Sequence, residues 1–117
     1  MPKRRRGQPP ISAMEFNMHF RKITSQAIQL TRKAHGDKQQ KLALELGISQ
    51  ASISKIEAMQ VCVPTEVLFR LCIKYHMDPN IFSEPDLFQK HMERMRGMLA
   101  SRKRQGDMDE EKNGSTH

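Results

Sequence analysis

The sequence predicts an all-α protein, a compact five-helix domain followed by a C-terminal helix. Apolar residues recur at alternating steps of three and four over several segments, which is the spacing of one face of an α-helix. Serine, glycine and proline stand where these segments begin and end. At 117 residues the chain accommodates one small domain with tails, which excludes a multidomain enzyme.

The first predicted helix begins at Ser12 and ends near Gly36. Glu15 follows Ser12 at the spacing of a capping box. A flexible basic arm, residues 1–11, precedes this helix, because its glycine and paired prolines cannot form a helix. The stripe expected to face the core consists of Phe16, Phe20, Ile23, Ala27, Leu30 and Ala34.

Two short helices follow with a tight link between them. The second is predicted from Asp37 or Lys38 to Leu46, and Gly47 ends it because glycine adopts the left-handed conformation of a helix C-terminus. The third covers residues 49–57 and is capped by Ser49. Such short helices must cross steeply and depend on other helices for their core. Their expected buried residues are Leu42, Ala43, Leu46, Ile53 and Ile56.

Proline marks the start of the remaining elements of the domain. Pro64 and Thr65 begin a fourth helix, and Pro79 permits a short fifth turn that ends at Phe82. The predicted domain therefore covers residues 12–84.

A C-terminal helix is predicted over residues 85–105, and the polar residues 106–117 are expected to be disordered. Its apolar stripe exceeds what a completed domain needs, so we expect it to contact a second copy of the chain in a homodimer. The alternative is that this helix folds back onto its own domain. The residues assigned to dimerisation are Phe88, Met92, Met95 and Leu99.

The basic residues are unevenly placed. Lysine and arginine number 20 against 13 acids, which gives a net charge of +7. Residues 1–36 hold eight bases and one acid, whereas residues 37–117 hold twelve of each. Clustered bases favour a polyanionic partner, usually nucleic acid, because they release counterions from phosphates. A solvated basic tail that only aids solubility is the alternative.

Catalysis, a cofactor and a metal site are not expected. The five histidines are scattered over different elements, and neither GxGxxG nor a P-loop occurs. Cys62 and Cys72 lie in apolar runs, which suits core residues in a reducing compartment. No apolar run has the length of a signal peptide or a membrane span, so we expect a cytoplasmic protein without a membrane partner. Bases beside the C-terminal stripe leave a membrane-surface role as an alternative.

The most specific signal is the segment at 39–56, QQKLALELGISQASISKI. A tightly crossed helix pair needs a small residue in its first helix, a turn residue that tolerates positive φ, and apolar anchors in its second helix. The residues that meet these needs are Ala43, Gly47, Ile53 and Ile56. With the long helix before it and the proline-initiated helix after it, the segment resembles the helix-turn-helix domain of the phage repressor and Cro family, also called the Xre family. The resemblance covers about residues 20–82.

This resemblance implies a transcriptional regulator that places its third helix, residues 49–57, in the major groove of double-stranded DNA. Gln39, at the start of the second helix, would bind a phosphate, with Ser52 also near the DNA backbone. Arg32 and Glu57 would form a structural ion pair that holds the first helix to the third. The residues that would read bases are Gln50, Ala51, Ser54 and Lys55.

Three positions depart from the family pattern. Asp37 stands where an apolar residue is usual, and His76 stands where glycine is common and is expected to adopt the left-handed conformation. The loop after the third helix, AMQVCV, carries no charge, so its phosphate affinity is expected to be weak. We expect the basic arm to compensate through phosphate contacts. The arm residues concerned are Lys3, Arg4, Arg5 and Arg6.

A repressor in the cytoplasm, associated with the bacterial nucleoid, is the function that the resemblance implies. The alternative is a protein-interaction module or an antitoxin-type autoregulator that binds a partner protein through the C-terminal helix. A protein-binding version would be expected to present apolar or acidic residues on the exposed side of the third helix. Gln50, Ser54 and Lys55 are neither.

Overall fold

The computed structural model describes residues 12–114 of the chain, and the side chains of residues 12–105. This part is all-helical, as predicted, and no strand occurs between residues 12 and 114. The basic arm lies outside the described residues. The helices are α1 (Ala13–Ala34), α2 (Gln39–Leu46), α3 (Gln50–Glu57), α4 (Thr65–Tyr75) and α5 (Pro85–Gly114), with a 3-10 turn at Pro79–Phe82 between α4 and α5.

The helix ends follow the capping residues that the sequence indicates. The Ser12 hydroxyl accepts a hydrogen bond from the backbone N–H of Glu15, and the Ser49 hydroxyl accepts one from that of Ser52 at 3.0 Å. These bonds satisfy N–H groups that a helix N-terminus otherwise leaves unpaired. At the C-termini, Gly47 has φ 73° and His76 has φ 53°, so both adopt the left-handed conformation predicted for them.

One hydrophobic core joins α1 to α4 and the 3-10 turn. The expected apolar residues of α2 and α3 are all buried in it, as are Val67, Leu71 and Cys72 of α4. Burial raises the pKa of the Cys72 thiol, which keeps this cysteine neutral within the core. The fully buried side chains with the largest volumes are Ile28, Leu42, Leu46, Ile53, Leu71, Thr24 and Thr31.

The buried face of α1 differs from the predicted stripe. Phe16 is 54% exposed, because the first two turns of the helix extend beyond the core. Ile28, outside the predicted stripe, is fully buried, and so are Thr24 and Thr31. The hydroxyl of Thr24 donates to the backbone carbonyl of Phe20 at 2.6 Å. A hydroxyl that is hydrogen-bonded within its own helix can be buried at little cost, and the apolar pattern alone does not reveal this.

The C-terminal helix α5 folds back across α1 of the same chain. Met92 and Met95 are each 5% exposed, so two of the four residues assigned to dimerisation lie in the interior of the chain itself. Phe88 and Leu99 are half-buried. The buried His91 ring is hydrogen-bonded to the hydroxyl of Thr31 at 2.8 Å. The fold-back arrangement, left open by the sequence, is therefore the one that the structure adopts.

The backbone of α5 continues to Gly114, nine residues past the end predicted at Gln105. This stretch was expected to be disordered from its polar composition alone. Extending an existing helix costs much less than starting one, since each added residue gains a hydrogen bond. None of the helices in the described part of the chain is both long and apolar enough to cross a membrane.

Candidate nucleic-acid interface

The exposed face of α3 is polar and unobstructed. Ile53 and Ile56 are 0% and 2% exposed, so one side of this two-turn helix is anchored in the core. The opposite side points to solvent. It presents the four residues that the sequence assigned to base reading, Gln50, Ala51, Ser54 and Lys55, all of which are exposed.

Ser52 lies between these two sides and is half-buried. Its hydroxyl is hydrogen-bonded to the hydroxyl of Ser49 at 2.9 Å, in addition to the cap that its backbone N–H makes. The two serines thus order the first turn of α3, where backbone N–H groups and the positive end of the helix dipole are available to an anion.

An ion pair fixes α3 against α1. Nε of Arg32 lies 2.7 Å from Oε2 of Glu57, and Nη2 lies 2.9 Å from Oε1. This bidentate geometry matches the flat guanidinium to the flat carboxylate. Nη1 of Arg32 donates to the backbone carbonyl of Asp37 at 2.9 Å, so the same side chain also holds the turn before α2.

Gln39, the first residue of α2, is part of this network. Its side-chain amide donates to Oε1 of Glu57 at 3.0 Å. The N-terminus of α2 is thereby linked to the C-terminus of α3 through one carboxylate, and Arg32 links both to α1. The hydrogen bonds of Arg32 to Glu57 and Asp37 are made within the protein, which agrees with a structural role. Gln39 is half-buried at the N-terminus of α2.

Asp37, the departure from the family pattern, is accommodated by polar partners instead of apolar packing. The Tyr75 hydroxyl donates to Oδ2 of Asp37 at 2.8 Å, and Lys41 contacts Oδ1 at 3.1 Å. Burial would raise the pKa of Asp37, but hydrogen bonds from Tyr75 and Lys41 and the charge of Lys74 outweigh it, and the pKa lies below its usual value. Lys74 also pairs with Glu45, which ties α4 to α2.

The loop between α3 and α4 presents backbone and apolar side chains in place of charges. Met59 has φ 63°, so a methionine occupies a left-handed position that glycine adopts with less strain. The half-buried Cys62 accepts a hydrogen bond from Nε of Arg21 at 3.4 Å. This contact ties the loop to α1.

Two basic residues cap helix ends next to the helix-turn-helix pair in ways that the sequence did not indicate. Arg70 on α4 donates to the backbone carbonyl of Leu46 at 2.9 Å and so caps the end of α2. Arg102 on α5 donates to the backbone carbonyl of Ala34 at 3.0 Å and caps the end of α1. Neither partner lies near in sequence, at separations of 24 and 68 residues, and no local pattern announces such contacts.

The chain matches one family model, described as helix-turn-helix, over residues 28–82. The matched segment runs from the last two turns of α1 to the end of the 3-10 turn and contains the whole α3 surface. No curated protein and no solved structure shows significant similarity to the chain. The family is one of Cro-type, Xre-like regulatory domains that bind DNA, not a family of enzymes. Residues 28–82 therefore form a helix-turn-helix domain of the phage repressor and Xre type, the DNA-binding part of a helix-turn-helix regulator.

Proposed function

We propose that the protein is a sequence-specific transcriptional regulator, acting as a repressor, that reads double-stranded DNA as a homodimer. The observation that carries this proposal is the exposed polar side of α3, held by buried isoleucines on one side and by the Arg32–Glu57 ion pair at its end. A helix that reads base edges must be presented in one fixed orientation, because the hydrogen bonds that discriminate bases are directional.

The chemistry of the exposed α3 residues supports base reading in the major groove. The side-chain oxygen of Gln50 can accept from N6 of adenine while its amide nitrogen donates to N7, and Lys55 can donate to O6 and N7 of guanine. The Ala51 methyl group can pack on a thymine methyl, and the Ser54 hydroxyl can donate or accept. Within residues 12–105, Lys55 forms no ion pair, so its charge remains available to DNA.

Phosphate contacts would set the register of the domain on the duplex. Gln39 at the N-terminus of α2 and Ser52 in the first turn of α3 are proposed to contact the DNA backbone on either side of the groove. The hydrogen bond from Gln39 to Glu57 couples this phosphate contact to the position of α3. The arm residues proposed to add charge to these contacts are Lys3, Arg4, Arg5 and Arg6.

Two copies would place their α3 helices in successive major grooves of an inverted repeat. Two-fold symmetry then sets the half-sites about 34 Å apart, or a multiple of that distance. Met92 and Met95 are covered by α1 in the folded chain, so the contact between copies would use other residues of the surface. Repression would follow from occlusion of a promoter, in the cytoplasm and on the bacterial nucleoid.

Selection from a random duplex library tests the proposal. The full-length protein is incubated with the library at near-physiological salt and excess nonspecific competitor, and the bound DNA is sequenced. We expect an inverted repeat whose half-sites lie one helical turn apart. Enrichment of a single half-site would retain the α3 reader and overturn the homodimer. Binding without enrichment would overturn sequence recognition and favour the protein-interaction module or antitoxin-type autoregulator.

The exposed side of α3 does not favour a protein-interaction module or an antitoxin-type autoregulator. A surface that binds protein usually has an apolar centre, whereas the only apolar side chain here is the methyl group of Ala51. A partner protein bound through the stripe of α5 would compete with α1 for Met92 and Met95. Copurification of a second small protein with the full chain would nevertheless reveal such a partner directly.

A further inference from the structure

We propose that the C-terminal part of α5, which lies outside the helix-turn-helix segment, adds a second phosphate-binding surface next to the N-terminus of α2. To this surface, the α5 corner, we assign the exposed bases at the end of α1, at the N-cap of α2 and in the turn of α5 that carries Arg102: Lys33, Lys38, Arg102, Lys103 and Arg104. Its ligand is the backbone of the same duplex that α3 reads, so the inference rests on the proposed function.

Arg102 holds the α5 corner against the turn between α1 and α2. Its Nε donates to the backbone carbonyl of Ala34, and a Cβ on Gly36 would lie 2.7 Å from its Nη1. The guanidinium therefore occupies the space that a side chain at residue 36 would fill. Gly36, with φ 72°, connects α1 to α2 and lies three residues before Gln39. The turn of α5 that carries Arg102 thus sits against the turn that leads into the proposed phosphate site.

A shallow depression lies between the end of α1 and this part of α5. Ala34 forms one side, and apolar and polar residues of α5 form the other: Gly97, Met98, Ser101, Arg102, Arg104 and Gln105. Nη2 of Arg104 donates to the Ser101 hydroxyl at 3.3 Å, and the guanidinium has further N–H groups that can donate to an oxyanion. Lys38 is exposed at the N-cap of α2.

The α5 corner has an uncompensated positive charge among residues 12–105. None of its five bases takes part in an ion pair with an acid in this part of the chain. The nearest acid in sequence, Asp37, is already bonded to Tyr75 and Lys41. Exposed bases held at a fixed position beside a helix N-terminus favour phosphate, since both supply positive potential to the same oxyanion.

The location next to α2 favours the DNA backbone over another polyanion. A duplex whose phosphate contacts Gln39 continues past the end of α2. Each strand carries one phosphate per about 3.4 Å of helix axis, so its next phosphates come within reach of long basic side chains. Four acids follow at residues 107 and 109–111, so the net charge of α5 is not what would attract DNA. The position of the bases beside α2, and not the net charge of the helix, would therefore bring them to the phosphates.

A charge-matched pair of variants compares two positions along α5. Lys103→Ala with Arg104→Ala removes two bases from the α5 corner, whereas Lys90→Ala with Arg96→Ala removes two exposed bases from earlier turns of the same helix. Affinity is measured for the selected operator and for a random duplex over a salt series, with full-length protein. Circular dichroism and thermal unfolding check that both variants keep the fold.

We expect the corner variant to lower the slope of log K against log salt by about 1 to 2, because each lost phosphate contact contributes about 0.9. Its affinity should fall several-fold, about equally for operator and random duplex, so the specificity ratio stays unchanged. The control variant should keep the wild-type slope. Equal losses of slope and affinity in both variants would show only a general effect of net charge. They would overturn the proposal that the α5 corner binds phosphate.

Ethylation interference locates the contact independently of affinity. One or two operator phosphates should interfere with wild-type binding when ethylated and cease to do so in the corner variant. If the interference pattern of the corner variant is identical to that of wild type, no phosphate lies at the corner. If the wild-type protein binds no duplex in a salt-dependent manner, the proposed function itself fails, which is a distinct outcome.

Discussion

Arg32 on α1 and Glu57 at the end of α3 form a bidentate ion pair that is almost entirely buried. The two side chains are 10% and 3% exposed, and their atoms approach to 2.7 Å. Glu57 also accepts a hydrogen bond from Gln39, so one carboxylate connects three helices. Removing one member of such a pair leaves the other charge buried without compensation.

Arg32→Ala should therefore lower the free energy of unfolding by about 3–5 kcal/mol. Replacing both residues, with Arg32→Met and Glu57→Met, should cost less than the single change because no unpaired charge remains. Urea denaturation of the three proteins measures both effects. Lys41→Ala, which removes two ion pairs of a lysine that is 62% exposed, serves as control and should change stability little. A double variant less stable than Arg32→Ala would contradict this account.

Base reading and phosphate binding predict different consequences for two substitutions. Lys55→Ala should relax the preference at one base pair of the operator and weaken operator binding by about 1–3 kcal/mol. Gln39→Ala should weaken binding to all sequences by about the same factor. Gln40→Ala, at the exposed neighbouring position, is the matched control for Gln39. Binding assays on a set of single-base operator variants distinguish the effects, and a uniform loss with Lys55→Ala would place α3 in a different register.

Protonation of His91 should oppose the docking of α5 on α1. Burial, followed by the charges of Arg94 and His35, lowers the pKa of His91 from 6.5. The unfolded chain then takes up a proton before the folded chain does, so stability falls as the pH drops from about 6.5 toward the folded pKa. The slope contributed by one group is at most about 1.4 kcal/mol per pH unit.

Chemical denaturation between pH 7 and pH 5 measures this dependence. His91→Gln keeps a polar partner for Thr31 and cannot titrate, so its stability should vary less with pH than that of wild type. His19→Gln removes an exposed histidine and should retain the wild-type dependence. An unchanged pH dependence in His91→Gln would exclude His91 as the source.

Replacing two glycines by alanine should change the stability of the protein in opposite directions. Gly36→Ala forces a side chain into the left-handed conformation and against the Arg102 guanidinium, and should destabilise the protein by about 1–2 kcal/mol. Gly97 lies within α5, and no atom lies within 4 Å of the position that a Cβ would take. Gly97→Ala should therefore stabilise the protein by about 0.5–1 kcal/mol. Thermal unfolding compares them, and destabilisation by Gly97→Ala would contradict the open environment of this residue.

The sequence alone determined the helical fold class and the start and end of the helices in residues 28–82. These features depend on residues close together in the chain, such as the Ser49 cap, the left-handed Gly47 and the apolar spacing of Ile53 and Ile56. The pairing of Arg32 with Glu57 followed from a family resemblance, since no local rule connects residues so far apart. The exposure of the α3 face followed from the same periodicity that buries its isoleucines.

Only the tertiary structure decided which residues far apart in the sequence contact each other. It turned the stripe of α5 toward α1, paired Asp37 with Tyr75, and brought Arg102 to the end of α1. An amphipathic stripe specifies that a helix is covered but not by what, because the free energy of burial depends on apolar area and not on the identity of the covering surface. Buried polar groups are likewise satisfied by partners from any part of the chain, and their positions emerge only when the helices pack.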